Sequence, residues 1–226
     1  MNKIIAVVGA NGKMGSLVCE KLSTDYQIIK ITEENKLSNI SSSDCKNIRL
    51  VIDFANANSS VKSTKFCVNH KIPILIASTG QTQKQIKEIL SNSNTIPIMI
   101  CPNLSLGICL VKKMINSIIK KNNYEINIHE KHHNRKKDKP SGTALLLSNY
   151  IKTLNNKQII NITAERGGKE IGTHSISFYF GDELITISHQ AFSREAFAEG
   201  AVIAINYLLQ QKEPKQYFFD DIFNEK

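Results

Sequence analysis

Two adjacent histidines, a nearby lysine and a serine–glycine–threonine turn stand close together in the segment 130–143. Histidine titrates near neutral pH, so His132 could supply a proton to a reacting molecule. Ser141 is a good N-cap for the apolar run that follows it, which would leave the backbone N–H groups of Gly142 and Thr143 free to bind an anion. The segment therefore predicts a site for an acidic substrate that needs a proton.

Charge alone gives the same segment a second interpretation, a solvated basic loop, because it also carries five cationic side chains. The net charge of +9 fits nucleic acid, a membrane surface or an acidic substrate as partner. No apolar run approaches the roughly 20 residues of a membrane span, and the N-terminus lacks the features of a signal peptide. We therefore expect a soluble, cytoplasmic protein that binds no membrane.

The five cysteines are scattered and form no C-x-x-C pair. This spacing argues against a disulfide framework and against a zinc site, so we expect reduced core cysteines and no metal.

A glycine turn follows the first apolar run of the chain. Residues 3–8 are apolar and β-branched, which predicts a buried strand, and apolar residues at helical spacing follow the turn. Glycines let a backbone approach a pyrophosphate, and a helix start supplies N–H donors. A tight turn without a ligand is the alternative, because Asn11 stands where the G-x-G-x-x-G fingerprint has its second glycine. The predicted cofactor-binding residues of this turn are Gly9, Ala10, Asn11, Gly12, Lys13 and Met14.

An acidic residue follows the second predicted strand, 27–32, at Glu33. At about 20 residues past a glycine turn, a carboxylate would bind the ribose 2′-hydroxyl of NAD and repel a 2′-phosphate. We therefore expect NADH to be preferred over NADPH, although Lys30 and Lys36 are close in sequence. Two exposed acids at a strand end are the structural alternative.

Strands and helices then alternate through the first hundred residues, which predicts an α/β fold with a doubly wound, Rossmann-type parallel sheet. Ligands of such sheets bind at the carboxyl ends of the strands. Two further turns follow strands there and complete the predicted cofactor site. Their residues are Ala77, Ser78, Thr79, Cys101, Pro102, Asn103 and Leu104.

The pattern changes after the helix predicted at 106–121. Alternating segments predict a smaller α+β domain with an antiparallel or mixed sheet, and the helix from Ser141 packs on one face. The last helix is expected to return to the first domain. We thus predict a dinucleotide-binding domain over 1–104 and 192–226, and a substrate-binding and oligomerisation domain over 105–191, with segment 130–143 facing the cleft.

The chain resembles the 4-hydroxy-tetrahydrodipicolinate reductase (dihydrodipicolinate reductase) family. That family's signature E-x-H-H-x-x-K-x-D-x-P-S-G-T-A is matched at every specified position from Glu130 through Ala144. Shorter motifs also match in order, and the resemblance covers nearly the whole chain. They are the glycine loop at Gly9, D-F at Asp53, S-T-G at Ser78, N-x-S at Asn103 and H-x-A-x-S-R from His189 to Arg194. Departures are Lys13 in place of arginine, Ala77 in place of glycine, and a short chain.

The resemblance implies a role for each residue of the signature. His132 would be the proton donor, and Lys136 a second acid and electrostatic partner. His133, Gly142 and Thr143 would hold the carboxylates of a small dicarboxylate substrate. NADH or NADPH would reduce a conjugated imine ring in lysine and diaminopimelate biosynthesis, and the enzyme would be a homotetramer.

Three other functions are alternatives to this one. A nucleic-acid binder would use the basic loop, but the sequence has no recognition-helix or RNP motif and the glycine turn would go unexplained. A catalytically idle nucleotide sensor would be marked by a changed His132 or Lys136, and neither is changed. A different Rossmann dehydrogenase would not need so long a match to the central signature.

Overall fold

The computed structural model describes residues 3–119 and 124–223. Strands and helices alternate in its first part, and strands dominate the middle of the chain. In order, the strands and α-helices of the described ranges are β1 (Ile4–Val8), α1 (Lys13–Leu22), β2 (Gln27–Ile31), α2 (Ser42–Asn47), β3 (Ile48–Asp53), α3 (Ala57–His70), β4 (Ile74–Ile76), α4 (Gln83–Leu90), β5 (Ile98–Ile100), α5 (Leu106–Ile119), β6 (Glu125–His132), α6 (Gly142–Leu154), β7 (Ile159–Arg166), β8 (Gly172–Phe180), β9 (Glu183–Ala191), α7 (Glu195–Gln210) and β10 (Gln216–Tyr217).

The first sheet has the strand order β10-β5-β4-β3-β1-β2, and all its neighbouring strands are parallel. Its central strands are apolar and β-branched, and β1 and β4 are buried along their whole length. Such runs suit a sheet that helices cover on both faces. The predicted Rossmann-type parallel sheet is therefore confirmed.

The second sheet has the order β7-β6-β8-β9 and is mixed, since β6 pairs with β7 in parallel and the other neighbours are antiparallel. Residues of β6 and β8 alternate between buried and partly exposed. Helices α5 and α6 cover the buried face through one apolar cluster, which includes Ile115, Leu147 and Phe178. The predicted α+β domain with a mixed sheet is also confirmed.

The chain divides into two compact units. One contains the chain up to Leu104 and from Phe197 onward, and the other is Ser105–Ala196. Each has its own apolar core. The five cysteines, all within the described ranges, are buried and form no disulfide.

Two details differ from the sequence-based expectation. Its polar composition predicts that the stretch 35–47 is a surface connection, but it contains helix α2, which the Ser41 side chain caps by accepting a hydrogen bond from the Asp44 N–H. The two-residue strand β10 adds an edge to the first sheet beside β5, and a segment so short has no readable periodicity.

A two-residue turn, Gly181 and Asp182, joins β8 to β9, and the strands pair from Phe180 opposite Glu183. Gly181 has φ +57°, a conformation that glycine adopts without strain. Within residues 3–119 and 124–223, no helix has the length and apolar character that a membrane crossing requires.

Candidate active site

Strand β6 places Glu130 and His132 on the same face, because side chains two residues apart in a strand point the same way. Its inner face continues from Ile126 and Ile128, which are fully buried, to these two polar residues. Glu130 is fully buried and His132 is 7% exposed. The core side of the sheet therefore ends in a carboxylate and an imidazole.

The Glu130 carboxylate accepts hydrogen bonds from His132, Arg166 and Ser141. Oε2 accepts from Nδ1 of His132, and the Arg166 guanidinium donates to both oxygens at 2.9 and 2.7 Å. The Ser141 backbone N–H donates to Oε1 at 3.0 Å. Arg166 is brought there by the parallel pairing of β7, in which it lies opposite His132. A two-pronged, charge-assisted contact of this kind fixes both partners.

These contacts determine the protonation of the pair. Burial acts to raise the pKa of Glu130, but the hydrogen bonds from Arg166 and His132 outweigh it and lower the pKa below its ordinary value. Burial lowers the pKa of His132, although Glu130 acts against that shift. An ionised Glu130 can only accept, so the proton on Nδ1 stays there and Nε2 is the atom that exchanges a proton.

Gly172, at the start of β8, leaves room for the His132 ring. A Cβ atom at this position would lie 2.7 Å from Nε2 of His132, which is far too close. The φ angle of Gly172 is not positive, so its backbone conformation does not require a glycine. The residue is needed here because the His132 ring occupies the space of a side chain.

Ser141 caps helix α6 as predicted, and its Oγ accepts the Ala144 N–H at 3.2 Å. Gly142 begins the helix, and a Cβ there would meet no described atom within 4 Å. Open space beside a helix start leaves room for an anion, and in the structure the Gly142 N–H donates to the Asp138 carboxylate. Thr143 follows in the first turn and is partly exposed.

Lys136 lies in the loop between β6 and α6, where its Nζ is 2.8 Å from an oxygen of Asp138. Its charge is close enough to lower the pKa of His132, after the larger effect of burial. The His133 N–H donates to the Glu170 carbonyl at 2.8 Å. The structure therefore brings His132, Lys136 and the start of α6 into one region of the second unit.

Glu130, His132 and His174 have ligand atoms within 4.8 Å of one another, which raises the question of a metal ion. Both oxygens of Glu130 already bind Arg166, and Nδ1 of His132 is bound to Glu130. The Arg166 cation would also repel a metal. The donor set therefore fits a proton-holding cluster rather than a metal site.

The first unit contains the glycine turn, and its geometry suits a phosphate. Gly9 has φ +77°, and a Cβ at Gly15 would lie 2.2 Å from the Gly9 carbonyl oxygen, so the helix start packs directly on the turn. Gly12 is the N-cap of α1, and no described side chain accepts a hydrogen bond from the first N–H groups of that helix. The first N–H groups of that helix are thus available to a ligand. Ala10 is buried, whereas Asn11, Gly12 and Lys13 are exposed and Met14 is partly exposed.

Separate backbone hydrogen bonds tie each turn to the end of a neighbouring strand at the carboxyl edge of the first sheet. Gly9 donates to Ile31, Ala77 to Asp53 and Cys101 to Ile76, at 2.8–3.0 Å. The predicted cofactor-binding turns are therefore brought to one edge. Their other residues follow these strand ends in the chain: Glu33 after β2, Ser78 and Thr79 after β4, and Pro102, Asn103 and Leu104 after β5.

Side chains at this edge differ in exposure. Glu33 is exposed, but Ser78 is buried, and its Oγ lies 2.7 Å from that of Ser60. Ser78 can therefore offer a ligand its backbone more readily than its hydroxyl.

Sequence reasoning missed four residues of the site in the second unit. Glu130 begins the signature, and its spacing from His132 in an alternating strand is a usable signal for a contact between the two. Arg166, Gly172 and His174 carried no local signal, because only the pairing of β6 with β7 and β8 brings them to the histidine.

Comparison with known proteins gives one family for both parts of the chain. The sequence pattern described as "Dihydrodipicolinate reductase, N-terminus" matches residues 3–104, and "Dihydrodipicolinate reductase, C-terminus" matches residues 107–223. A 4-hydroxy-tetrahydrodipicolinate reductase of Clostridium tetani is 34% identical, over 97% of this chain and 96% of its own. One of Caldanaerobacter subterraneus is 35% identical, over 96% and 97%.

Solved structures share the fold. Dihydrodipicolinate reductase from Paenisporosarcina sp. TG-14, bound to dipicolinate, superposes with a TM-score of 0.77 at 19% identity, covering 98% of this chain and 100% of that one. A myo-inositol dehydrogenase from Corynebacterium glutamicum gives a TM-score of 0.66 at 12% identity, with coverages of 99% and 93%. With both halves of its sequence matched, the chain belongs to the dihydrodipicolinate reductase family.

Proposed function

We propose that this protein reduces 4-hydroxy-tetrahydrodipicolinate to tetrahydrodipicolinate with NADH or NADPH, in lysine and diaminopimelate biosynthesis. The observation that carries the proposal is the buried Glu130–His132 pair beside the open start of helix α6. A dicarboxylate substrate needs N–H donors and cations for its charges, and a proton donor for its ring. Family membership supports the same reaction.

His132 is the proton donor in this proposal. Glu130 keeps Nδ1 protonated, so a proton that arrives at Nε2 is the one given to the substrate. Lys136 acts as a second acid and electrostatic partner. His133, Gly142 and Thr143 hold the carboxylates, and the bound nicotinamide supplies the hydride.

The proposal is tested by an assay that follows the oxidation of NADH. The substrate is generated in situ from pyruvate and aspartate semialdehyde. Wild type should turn over, and His132→Ala should lose on the order of 10²-fold in kcat, as removal of a general acid does. Binding of NADH without turnover by wild type would overturn the proposal.

Preference for NADH belongs to the proposal too. Asn35 closes the turn after β2, since its side chain donates to the Lys30 carbonyl at 2.8 Å and its N–H to Thr32 Oγ1 at 3.2 Å. Glu33 is exposed within that turn, where it would repel a 2′-phosphate. Wild type should have a lower KM for NADH than for NADPH, and Glu33→Ala should narrow the difference.

We also propose a cytoplasmic homotetramer that binds no nucleic acid. The sheet face opposite α5 and α6 exposes side chains such as Ile159, Leu184 and Tyr179, which favours association between copies. Light scattering in solution measures the mass, and a monomer would contradict this part.

A further inference from the structure

Ser141 contacts both parts of the proposed site. Its N–H donates to the carboxylate of Glu130, which binds His132, and its Oγ accepts the Ala144 N–H at the start of α6. The hydroxyl also lies 3.1 Å from Nε2 of His174. A displacement of Ser141 would therefore change the proton donor and the helix start together.

His174 occupies a rigid position from which to hold Ser141. It lies in β8 directly opposite Glu130, is 4% exposed, and its ring packs edge-on against that of His132 with centroids 5.1 Å apart. Nδ1 of His174 has no hydrogen-bond partner among the described residues. A buried imidazole with a free nitrogen is costly, so packing alone does not account for a histidine here.

The ring is uncharged at neutral pH. Burial lowers the pKa of His174 to about 3, and the nearby charges of His132, His189 and Lys136 act in the same direction, whereas Glu130 opposes them. A neutral ring can hold the Ser141 hydroxyl without adding charge beside the proton donor.

We propose that His174 is a positioning residue, which acts through Ser141 to hold the start of α6 in register with the Glu130–His132 pair. The inference rests on the proposed function and assigns a further residue to the same site. It requires that His174 and Ser141 act as one unit, and that loss of either side chain weakens binding of the dicarboxylate substrate.

A double-mutant cycle tests this dependence. His174→Leu should raise KM for the substrate about 10-fold, as the loss of a buried hydrogen bond does, with the Kd for NADH unchanged. His174→Gln, which keeps a polar atom within reach of Ser141, should restore most of the loss. His174→Leu combined with Ser141→Ala should be no worse than Ser141→Ala alone. If the two substitutions raised KM independently, so that their fold-changes multiplied in the double variant, the proposal would be overturned.

His189 provides a matched control, because its Nε2 lies 3.2 Å from Oγ of Ser105, which accepts the Ile108 N–H at the start of α5. His189→Leu should lower stability yet leave KM for the dicarboxylate near the wild-type value. An equal rise in KM would show that general loosening explains the His174 variant, and would overturn the proposal.

Amide hydrogen exchange at Ala144 gives a readout without substrate. In the free protein, His174→Leu should speed exchange at this amide, and His174→Gln should restore protection. Unchanged protection in His174→Leu would overturn the positioning role. Failure of wild type to turn over would instead overturn the proposed function, because the exchange measurement does not involve the reaction.

Discussion

The carboxylate of Glu130 accepts a hydrogen bond from Nδ1 of His132, two residues further along the same strand. The carboxylate is held in turn by both terminal nitrogens of Arg166. The orientation of the histidine ring is therefore set by a carboxylate that is itself held by hydrogen bonds to both of its oxygens.

Replacing Glu130 should change the pH dependence of the reaction. Glu130 acts to raise the pKa of His132, so Glu130→Gln should lower that pKa further. A proton donor must be protonated, so kcat/KM falls as pH rises through its pKa, and this alkaline limb should move to lower pH. We expect kcat to fall on the order of 10-fold or more.

Glu125→Gln is the control for that variant, because Glu125 lies on the same strand and is exposed. Its pH profile should match that of wild type. An alkaline limb that stays in place in Glu130→Gln would contradict the assigned link between the two residues.

Gly172→Ala should impair catalysis through the ring of His132. The added methyl would lie 2.7 Å from Nε2, so the ring must shift out of place. We expect kcat to drop about 10-fold or more, as misplacement of a catalytic group does. Gly167→Ala is the control, since its Cβ would meet only an atom of Glu165, at 4.0 Å. Equal activity of the two variants would argue against the His132 assignment.

Gly142→Ala should separate substrate binding from folding. The space beside this residue is open among the described atoms, and alanine favours a helix over glycine by about 1 kcal/mol, so unfolding by urea should show no loss of stability. A substrate carboxylate that replaces Asp138 at the Gly142 N–H would meet the methyl group, and KM for the substrate should rise several-fold. A KM equal to that of wild type would place the carboxylate elsewhere.

Gly15→Ala should weaken NADH binding. Its Cβ would lie 2.2 Å from the Gly9 carbonyl oxygen and 2.9 Å from Cα of Ala10, so the turn must move away from the helix. Calorimetry should show at least about a 10-fold increase in Kd, because the phosphate donors lose their alignment. Ser16→Ala, at an exposed neighbour, should bind as wild type does. Normal NADH affinity in Gly15→Ala would exclude this turn as the cofactor site.

Acid should destabilise the protein through His174. Its folded-state pKa of about 3 lies below the ordinary 6.5, so the unfolded chain binds a proton more readily than the folded one. The stabilisation is complete above pH 6.5 and is lost as pH falls toward 3. Between pH 6.5 and 3, the free energy of unfolding by urea should fall less in His174→Gln than in wild type, by at least about 1 kcal/mol. A parallel pH dependence in both proteins would contradict the shift.

Local sequence predicted those parts of the molecule that depend on neighbouring residues. Alternation in 125–132 and the capping serine before Gly142 gave β6 and α6, and the apolar runs gave the parallel sheet. The partners of His132 could not be predicted in this way. Arg166 and His174 reach it through strand register, which depends on the packing of whole sheets rather than on a local pattern.

The turn at Gly181 and Asp182 has a consequence for residues far from it. Because this short connection sets the pairing of β8 with β9, it also decides that His189 lies opposite His174 and points to the same side of the sheet. Because β8 is also paired with β6, a slip of one residue in β9 would turn only the His189 imidazole to the opposite face and release the start of α5. The hairpin turn, about 20 Å from His174, thus determines whether His189 reaches the start of α5.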